Sequence, residues 1–236
     1  MKQWIFGAVA ALAASTALNA PMAQAAEVSG AQVGVSYSNL TGSASDANKL
    51  SAYGSLEVAF SPAFSVQGDM ALNHFGAVDL NGGMFALHGV YHPMQGTALG
   101  AFIGRDRLNS QNVNFYGLEA SQKLNMIDLE GYLWHSNSGS DGTALGLSGS
   151  YALNDRFSLG GRLDTLNGSG DDYNRIGVTA DYKLASSYSV YGEVGRVDAQ
   201  GVDAEGYIGL GVRATFGAGQ GTSFSQRGLQ DLLPGL

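Results

Sequence analysis

Hydrophobic and polar residues alternate along most of this chain, and the alternation is clearest between residues 176 and 193. The first half of that stretch has an apolar or aromatic side chain at every second position, at Ile176, Val178, Ala180, Tyr182 and Leu184. Such alternation is typical of a β-strand with one apolar face and one polar face. A small turn at residues 185–187 follows, and the alternation then resumes. The stretch therefore predicts a β-hairpin.

The same hairpin pattern recurs along the chain at a nearly constant spacing. Short turns are predicted at Pro62, Pro93, Asn125, Asn154 and Ala185, which are separated by 31, 32, 29 and 31 residues. One further step in each direction reaches the first and the last strand pattern. The array therefore predicts six strand pairs, or twelve strands. Solenoid and propeller repeats have similar periods, but they carry motifs of their own that are not visible in this sequence.

The strands and their connections can be placed from this pattern. Strands are predicted at 31–39, 49–60, 64–73, 84–91, 97–104, 113–124, 126–135, 143–153, 157–166, 174–184, 188–197 and 204–216. The five short turns alternate with longer polar segments at 41–48, 73–83, 105–112, 136–142, 167–172 and 198–203. Short turns at one end and longer loops at the other are typical of a membrane-spanning β-barrel.

The apolar face carries aromatic residues beside the short turns and at the end of the last strand. They are Phe60, Phe64, Tyr91, Tyr151, Phe157, Tyr182, Tyr188 and Phe216. Aromatic residues at one level of an apolar band match the interfacial girdle of a membrane barrel, where the rings lie at the depth of the headgroups. In a water-soluble sandwich or lipocalin-like barrel, aromatic residues would be scattered through the strand centres. The pattern favours the membrane barrel, and the soluble barrel stays as the alternative.

The opposite face carries small and charged residues. Its predicted lumen residues are Glu57, Asp69, His88, Glu119, Asp128, Glu130, Arg162, Asp164, Arg175, Asp181, Glu193 and Arg213. Hydrocarbon does not accept such charges, so this face is predicted to line the lumen of the barrel. In the seventh strand, the opposite register would place Asp128 and Glu130 in lipid. Tyr132 and Trp134 are therefore predicted to lie inside the barrel.

Composition and targeting signals set the domain organisation. The chain has 236 residues, no cysteine and a formal net charge of −8, which is compatible with one large all-β domain. Residues 1–25 predict a cleaved signal peptide, because Lys2 precedes an apolar run and residues 23–25 form a small-x-small site. A transmembrane antiparallel β-barrel is predicted at 26–216 and a periplasmic tail at 217–236. The acidic charge argues against nucleic acid as a partner.

These features together resemble a Gram-negative outer-membrane β-barrel of the porin-like class. The last strand, IGLGVRATF, adds to the resemblance because it alternates apolar residues and ends in an aromatic one: Ile208, Leu210, Val212, Ala214 and Phe216. The resemblance implies that these residues resemble the signal read by the barrel assembly machinery. It also implies a location in the cell outer membrane, with outer-membrane lipids and lipopolysaccharide around the barrel. Most such barrels end at the aromatic residue, whereas residues 217–236 follow it here.

The stretch around His135 is the main candidate for catalysis. Outer-membrane phospholipases carry a His-x-Ser pair on one strand edge, so that the base can activate the nucleophile. Here Asn137 stands two positions after His135, while Ser136 and Ser138 have the opposite parity. A barrel lipid hydrolase is therefore the least favoured alternative, and the chain is predicted not to be an enzyme.

The acidic and histidine residues of the loops predict no cofactor and no metal. The histidines lack the spacing of a zinc site. Ligand spacing typical of calcium is likewise missing around the loop acids Asp198, Asp203 and Glu205 and around Asp171 and Asp172. Solvated loop acids are the simpler interpretation.

Residues 217–236 begin as a glycine-rich linker and end in an apolar cluster, Leu229, Leu232 and Leu233. The composition predicts a disordered periplasmic tail. The alternative is a segment that docks on a periplasmic partner or enters the barrel from below.

The inward face predicts a small passive diffusion pore, because its many glycine and serine residues leave room for water. With Lys123 and Lys183 included, the predicted wall holds eight acids and five bases and is net acidic by three. Rings of carboxylates favour cations, so a mild cation preference is expected, which neutralising Asp128 and Glu130 together should weaken. The alternative is a structural or adhesive outer-membrane barrel whose charged lumen residues interlock and close the bore.

Overall fold

The computed structural model describes residues 26–137, 141–168, 172–201, 203–217 and 221–234. The predicted signal peptide at 1–25 lies outside these residues. Among the described residues, no helix is long and apolar enough to cross a membrane.

Twelve antiparallel strands close into one barrel, as the hairpin pattern predicts. In chain order, β1 to β12 are Glu27–Thr41, Asn48–Ser61, Phe64–Phe75, Leu80–Met94, Thr97–Leu108, Gln111–Leu124, Ile127–Ser136, Gly142–Ala152, Phe157–Gly168, Tyr173–Ala185, Tyr188–Ala199 and Glu205–Phe216. Each strand pairs with its neighbours in sequence, and β1 closes the barrel on β12 with Ala31 opposite Phe216. One short helix, α1 (Leu229–Leu232), follows the last strand. All twelve predicted strands are confirmed.

The two ends of the barrel differ less in loop length than the sequence predicts. The five predicted short turns are present, for example at residues 62–63 between β2 and β3. At the opposite end the connections are also brief, and the predicted loop at 105–112 is only a two-residue turn at Asn109 and Ser110. Asn109 has a positive φ of 53°, a conformation that asparagine tolerates in tight turns. The strands continue beyond the apolar alternation because backbone pairing does not require an apolar face.

The outer surface of the barrel is an exposed apolar band. Ile103, Leu118 and Leu210 are 63%, 64% and 60% exposed. A soluble barrel would turn this face toward its core, and water-soluble monomers rarely expose so large an apolar surface. The chain therefore folds as a transmembrane barrel whose outward side chains face lipid.

The aromatic residues predicted as a girdle lie at the short-turn end of this band. Seven of the eight are exposed and Phe157 is half-buried. Phe64 and Tyr91 are opposite each other on β3 and β4, with ring centroids 5.1 Å apart. Tyr37, Phe85 and Tyr116 are also exposed, nearer the other end. This placement is the one that an interfacial girdle requires.

The inner surface combines charges with a buried aromatic cluster. Tyr132 and Trp134 point inward, at 9% and 2% exposure, as predicted from the register of the seventh strand. Phe115 lies between Trp134 and Phe102, with ring centroids 5.8 and 6.2 Å apart. The inner wall is thus more apolar in places than its glycine and serine content indicates.

The residues after β12 do not form a free periplasmic tail. Residues 221–234, which we call the lumen segment, run inside the barrel and contact strands from β1 to β10. The expectation of a disordered tail is wrong for these residues, because buried polar groups on the wall bond to them. The alternative in which the segment enters the barrel is the one observed.

Candidate pore and its lumen segment

The chain turns back into the barrel immediately after β12. Gly217 has a φ of 93°, and a Cβ there would lie 3.0 Å from the Ser29 carbonyl oxygen. The backbone then passes Gly30 of β1 so closely that a Cβ on Gly30 would overlap the carbonyl of Gly221. Glycine at these positions lets the chain cross the rim of the barrel at its short-turn end.

The first contact inside the lumen joins Ser223 to Glu57 of β2. The Ser223 backbone N–H and hydroxyl donate to the two carboxylate oxygens at 2.7 and 3.0 Å. Glu57 is 3% exposed. A buried carboxylate needs such donors, because an unpaired one is costly to remove from water.

Phe224 anchors the segment in the middle of the wall. Its backbone N–H donates to Gln67 Oε1 at 3.1 Å, and its carbonyl accepts from Gln67 Nε2 at 2.9 Å. The ring is 1% exposed and packs with Val90 and Ala98. These two hydrogen bonds resemble those between paired strands, except that the Gln67 side chain takes the place of one backbone. The segment is therefore held in a defined register along the wall.

His88 lies behind Phe224 between two acids. Its ring nitrogens lie 3.1 Å from Asp69 Oδ2 and 2.6 Å from Glu119 Oε1, and its ring stacks near that of Phe224 at 6.4 Å. All three polar side chains are inaccessible to solvent. His88 is therefore a polar partner that both buried acids share.

Arg227 brings a positive charge to the same region. Its Nε donates to Glu119 Oε2 at 3.0 Å, and its Nη2 donates to Glu130. The guanidinium also lies over the Tyr132 ring, 4.4 Å from the centroid. Arg227 is 3% exposed, so the segment supplies the cation that these buried wall acids require.

Near the opposite end, the wall satisfies the backbone of α1. The Leu229 N–H donates to Asp106 at 2.6 Å. Lys49 Nζ donates to the carbonyl oxygens of Gln230, at 2.6 Å, and of Leu233. The Tyr173 hydroxyl donates to the Leu232 carbonyl at 2.6 Å. The free N–H and C=O groups of a short helix are thereby partnered.

The wall also contains ion pairs of its own, formed between predicted lumen residues. Arg162 contacts Asp164 at 3.0 Å, and Arg175 contacts Glu193 at 2.9 Å. Arg213 pairs with Asp181 two strands away, and its guanidinium lies 5.3 Å from the Tyr191 ring centroid. These pairs lie on β9 to β12. The segment adds to this side, because Asp231 lies 3.4 Å from Arg162 Nη2 and its backbone carbonyl accepts from Arg175 at 2.8 Å.

The twelve predicted lumen residues all lie on the inward face. Asp128 stands apart from the clusters, since it is exposed beside the short turn between β6 and β7. Sequence reasoning missed Lys49 and Asp106, which are 7% and 3% exposed inside the barrel. Asp106 was assigned to a loop, although alternation with Phe102 could have found it. Adding one base and one acid leaves the net charge of the wall unchanged.

The segment does not fill the lumen completely. A cavity of about 550 Å³ lies at the short-turn end and is lined by residues that include Glu57, His92 and Thr222. A second cavity of about 240 Å³ lies between the segment and the strands β1, β2 and β9 to β12. The Tyr53 and Tyr191 hydroxyls meet at its edge, 3.0 Å apart. Polar space therefore remains beside the segment.

The candidate for lipid hydrolysis is not assembled around His135. His135 Nδ1 lies 3.1 Å from the Thr143 hydroxyl on the outer face, whereas Ser136 is buried on the inner face. Ser138 lies outside the described residues. The two side chains that would need to meet therefore lie on opposite sides of the wall.

A cluster of Ser, His and Glu side chains lies beside the cavity of about 550 Å³ at the short-turn end. Ser65 Oγ is 3.0 Å from His92 Nε2 and donates to Glu57. Glu57 Oε1 lies 3.4 Å from the same Nε2 atom. In a catalytic triad the acid binds the other ring nitrogen, so this arrangement is a hydrogen-bonded cluster and not a triad.

No metal site is formed by the part of the chain that the structure describes. No group of three or more His, Asp or Glu side chains there is placed to hold an ion. Of the loop acids considered for calcium, Glu205 accepts hydrogen bonds from the backbone and hydroxyl of Ser43.

Comparison with solved structures places this architecture among outer-membrane channels. A KdgM porin matches with a TM-score of 0.62 and 14% identity, over 78% of this chain and 99% of the porin. A NanC porin matches at 0.63 and 9%, over 77% and 98%. The chain has the fold of an outer-membrane porin. An outer-membrane channel from Pseudomonas putida F1 matches at 0.58 and 13%, over 84% and 100%. No protein-family model and no curated protein matches the sequence.

Proposed function

We propose that this chain forms a passive diffusion pore for small hydrophilic solutes in the outer membrane. The observation that carries the proposal is the polar space left in the barrel beside the lumen segment, about 240 Å³ along the wall and about 550 Å³ at the short-turn end. The porin fold supports the same function, although fold alone does not establish it. In this arrangement the predicted lumen residues that reach the cavity beside the segment, such as Arg162, Glu193 and Arg213, line the pore, and the ring of aromatic residues marks the membrane interface.

The charge of the wall bears on the selectivity of this pore. The wall is net acidic by three, which favours cations in a bore that contains only the wall. The sequence predicts this mild cation preference for the protein itself, from the wall charges alone and with residues 217–236 as a periplasmic tail. It stays a prediction, to be weighed against the charges that the lumen segment covers.

A structural or adhesive barrel without an open pore is the second candidate. The lumen segment favours it, since Phe224 and Arg227 fill the centre of the barrel with buried contacts. In this alternative the two cavities hold water but do not connect the two sides of the membrane. A lipid hydrolase has no comparable support, because His135 and Ser136 face opposite sides of the wall.

Conductance measurement separates these functions. The folded full-length protein, without its signal peptide, would be added to a planar lipid bilayer in potassium chloride. A pore gives discrete current steps, whereas addition of detergent alone gives none. If a protein whose barrel is verified by circular dichroism gave no current, this would contradict the pore and favour the structural barrel.

A further inference from the structure

The lumen segment sorts the charges of the wall into two sides. On the side of β2 to β7, Glu57, Asp106, Glu119 and Glu130 all bond to the segment. The first three of them are at most 5% exposed. A carboxylate that is covered and bonded in this way is not available to a passing ion.

The cavity on the other side of the segment has the opposite charge. Its charged lining residues are four bases and two acids: Lys49, Arg162, Arg175, Arg213, Glu193 and Asp231. Among the residues that line this cavity, bases therefore exceed acids by two, although the wall as a whole is acidic and Lys49, Arg162 and Arg175 also bond to the segment. In a narrow space with low-dielectric walls, such charges act on an ion at close range.

We propose that the lumen segment determines the selectivity of the pore by covering the acidic side of the lumen and leaving a basic passage. With the segment in place, the pore prefers anions. Without it, the wall acids meet water and the preference reverses to cations. This inference rests on the proposed function, since it concerns the ions that the pore conducts.

The segment itself contributes almost nothing to the net charge. Between residues 218 and 236 the only charged side chains are Arg227 and Asp231, which cancel. Deleting these residues therefore leaves the formal charge of the protein unchanged. Any change of ion preference in the deletion variant must come from wall groups that the segment had covered or from the altered shape of the bore. A wider bore alone lowers selectivity toward zero and does not reverse its sign.

The experiment compares four proteins in planar bilayers under a tenfold gradient of potassium chloride. They are the full chain, the deletion of residues 218–236, Arg227→Gln and Arg156→Gln. Arg156 is exposed in the short turn between β8 and β9, so Arg156→Gln removes the same charge outside the lumen. Folding is checked for each protein by circular dichroism.

The full chain is expected to give a reversal potential of anion-selective sign. The deletion should raise the conductance at least twofold and reverse the sign. Arg227→Gln should shift the potential part of the way, because it removes the cation that Glu119 and Glu130 share, and it provides the test in a full-length chain if the deletion does not fold. Arg156→Gln should behave like the full chain.

Each other outcome is decisive in a different way. Equal reversal potentials in the full chain, the deletion and Arg227→Gln would overturn the inference while the pore stands. A cation-selective full chain would also overturn it. A silent full chain with a conducting deletion would overturn the basic passage in favour of a closed plug. The absence of current from all four folded proteins would refute the pore itself.

Discussion

The two sides of the lumen are built from the same kind of strand but satisfy their charges differently. On the side of β2 to β7, Glu119 is inaccessible and contacts His88 of the wall, and its arginine partner, Arg227, comes from the lumen segment, more than one hundred residues away. On the side of β9 to β12, Arg213 and Asp181 are 32% and 23% exposed and both belong to the wall. We call the first side the sealed side. On the second, the open side, the segment adds Asp231 and backbone carbonyls to ion pairs that the wall already forms.

The difference shows how one alternating pattern can produce two environments. A wall acid that pairs with a wall arginine keeps its partner whatever occupies the lumen. A wall acid that pairs with the segment depends on that segment being seated. The strength with which the lumen segment is held in the barrel and the exposure of the acidic side are therefore coupled. Four substitutions test this coupling.

The largest effect is expected from removing the cation of the sealed side. Arg227→Gln leaves Glu130 without its cation and Glu119 with His88 alone, and breaking a buried ion pair in this way costs about 3–5 kcal/mol. Arg213→Gln is the matched change on the open side and should cost less than about 1 kcal/mol, because exposed pairs contribute little. Urea unfolding in lipid vesicles, followed by the fluorescence of Trp134, measures both. Equal losses would show that the two sides do not differ.

A similar but somewhat smaller loss is expected for the apolar anchor of the segment. Phe224→Ala removes a ring that is 1% exposed, and such changes cost about 3–5 kcal/mol when the cavity stays empty. Because water can enter the lumen, the cost should lie near the lower limit. Hydrogen exchange of the segment amides should quicken more than that of β9 to β12. The exposed outward residue Phe60 provides the control, and Phe60→Ala should leave segment exchange unchanged.

An intermediate effect is expected from Gly228, where the segment passes Asp106. Its φ is 155°, and a Cβ there would lie 2.9 Å from the Asp106 carboxylate and 3.0 Å from Met84. Gly228→Ala should destabilise the bound position of the lumen segment by about 1–3 kcal/mol, the usual range for a strained backbone position. Gly201→Ala is the control, since Gly201 also has a positive φ but open space around it. Hydrogen exchange that is equally altered in both variants would argue for backbone strain alone.

The smallest effect is expected on the open side, at the Tyr53 and Tyr191 pair. The two hydroxyls are 3.0 Å apart, and their rings lie against Gly34 and Gly211. Tyr53→Phe removes one hydrogen bond at the edge of a polar cavity, which is expected to cost about 0.5–1.5 kcal/mol. Segment exchange should not change, because this pair belongs to the wall. Faster exchange of the segment amides in Tyr53→Phe would show that the tyrosine pair also helps to hold the segment in the lumen.

The strands and their faces could be predicted because they depend on short-range alternation. The register of β7 is an example: placing Asp128 and Glu130 inward also places Trp134 inward, where it is 2% exposed. Asp106 is harder to predict because it lies near a strand end, where the outward neighbours are Arg105 and Arg107, whereas Lys49 stands beside the outward Leu50 and could have been found from the alternation. Beyond the lipid-facing band, outward and inward residues are both polar, so the alternation disappears although the backbone pairing continues.

The sequence by itself determined a twelve-stranded barrel with an apolar exterior and a charged interior, because period-two patterning is a local property and each hairpin repeats it. It did not determine where residues 221–234 lie. Their glycine-rich start and apolar end are compatible with a free tail, a docking peptide or a lumen segment. Only the tertiary structure decided this, because the contacts that seat the segment join residues far apart in sequence, such as Arg227 and Glu119. Buried wall acids require donors, and which chain supplies them becomes visible only after the barrel closes.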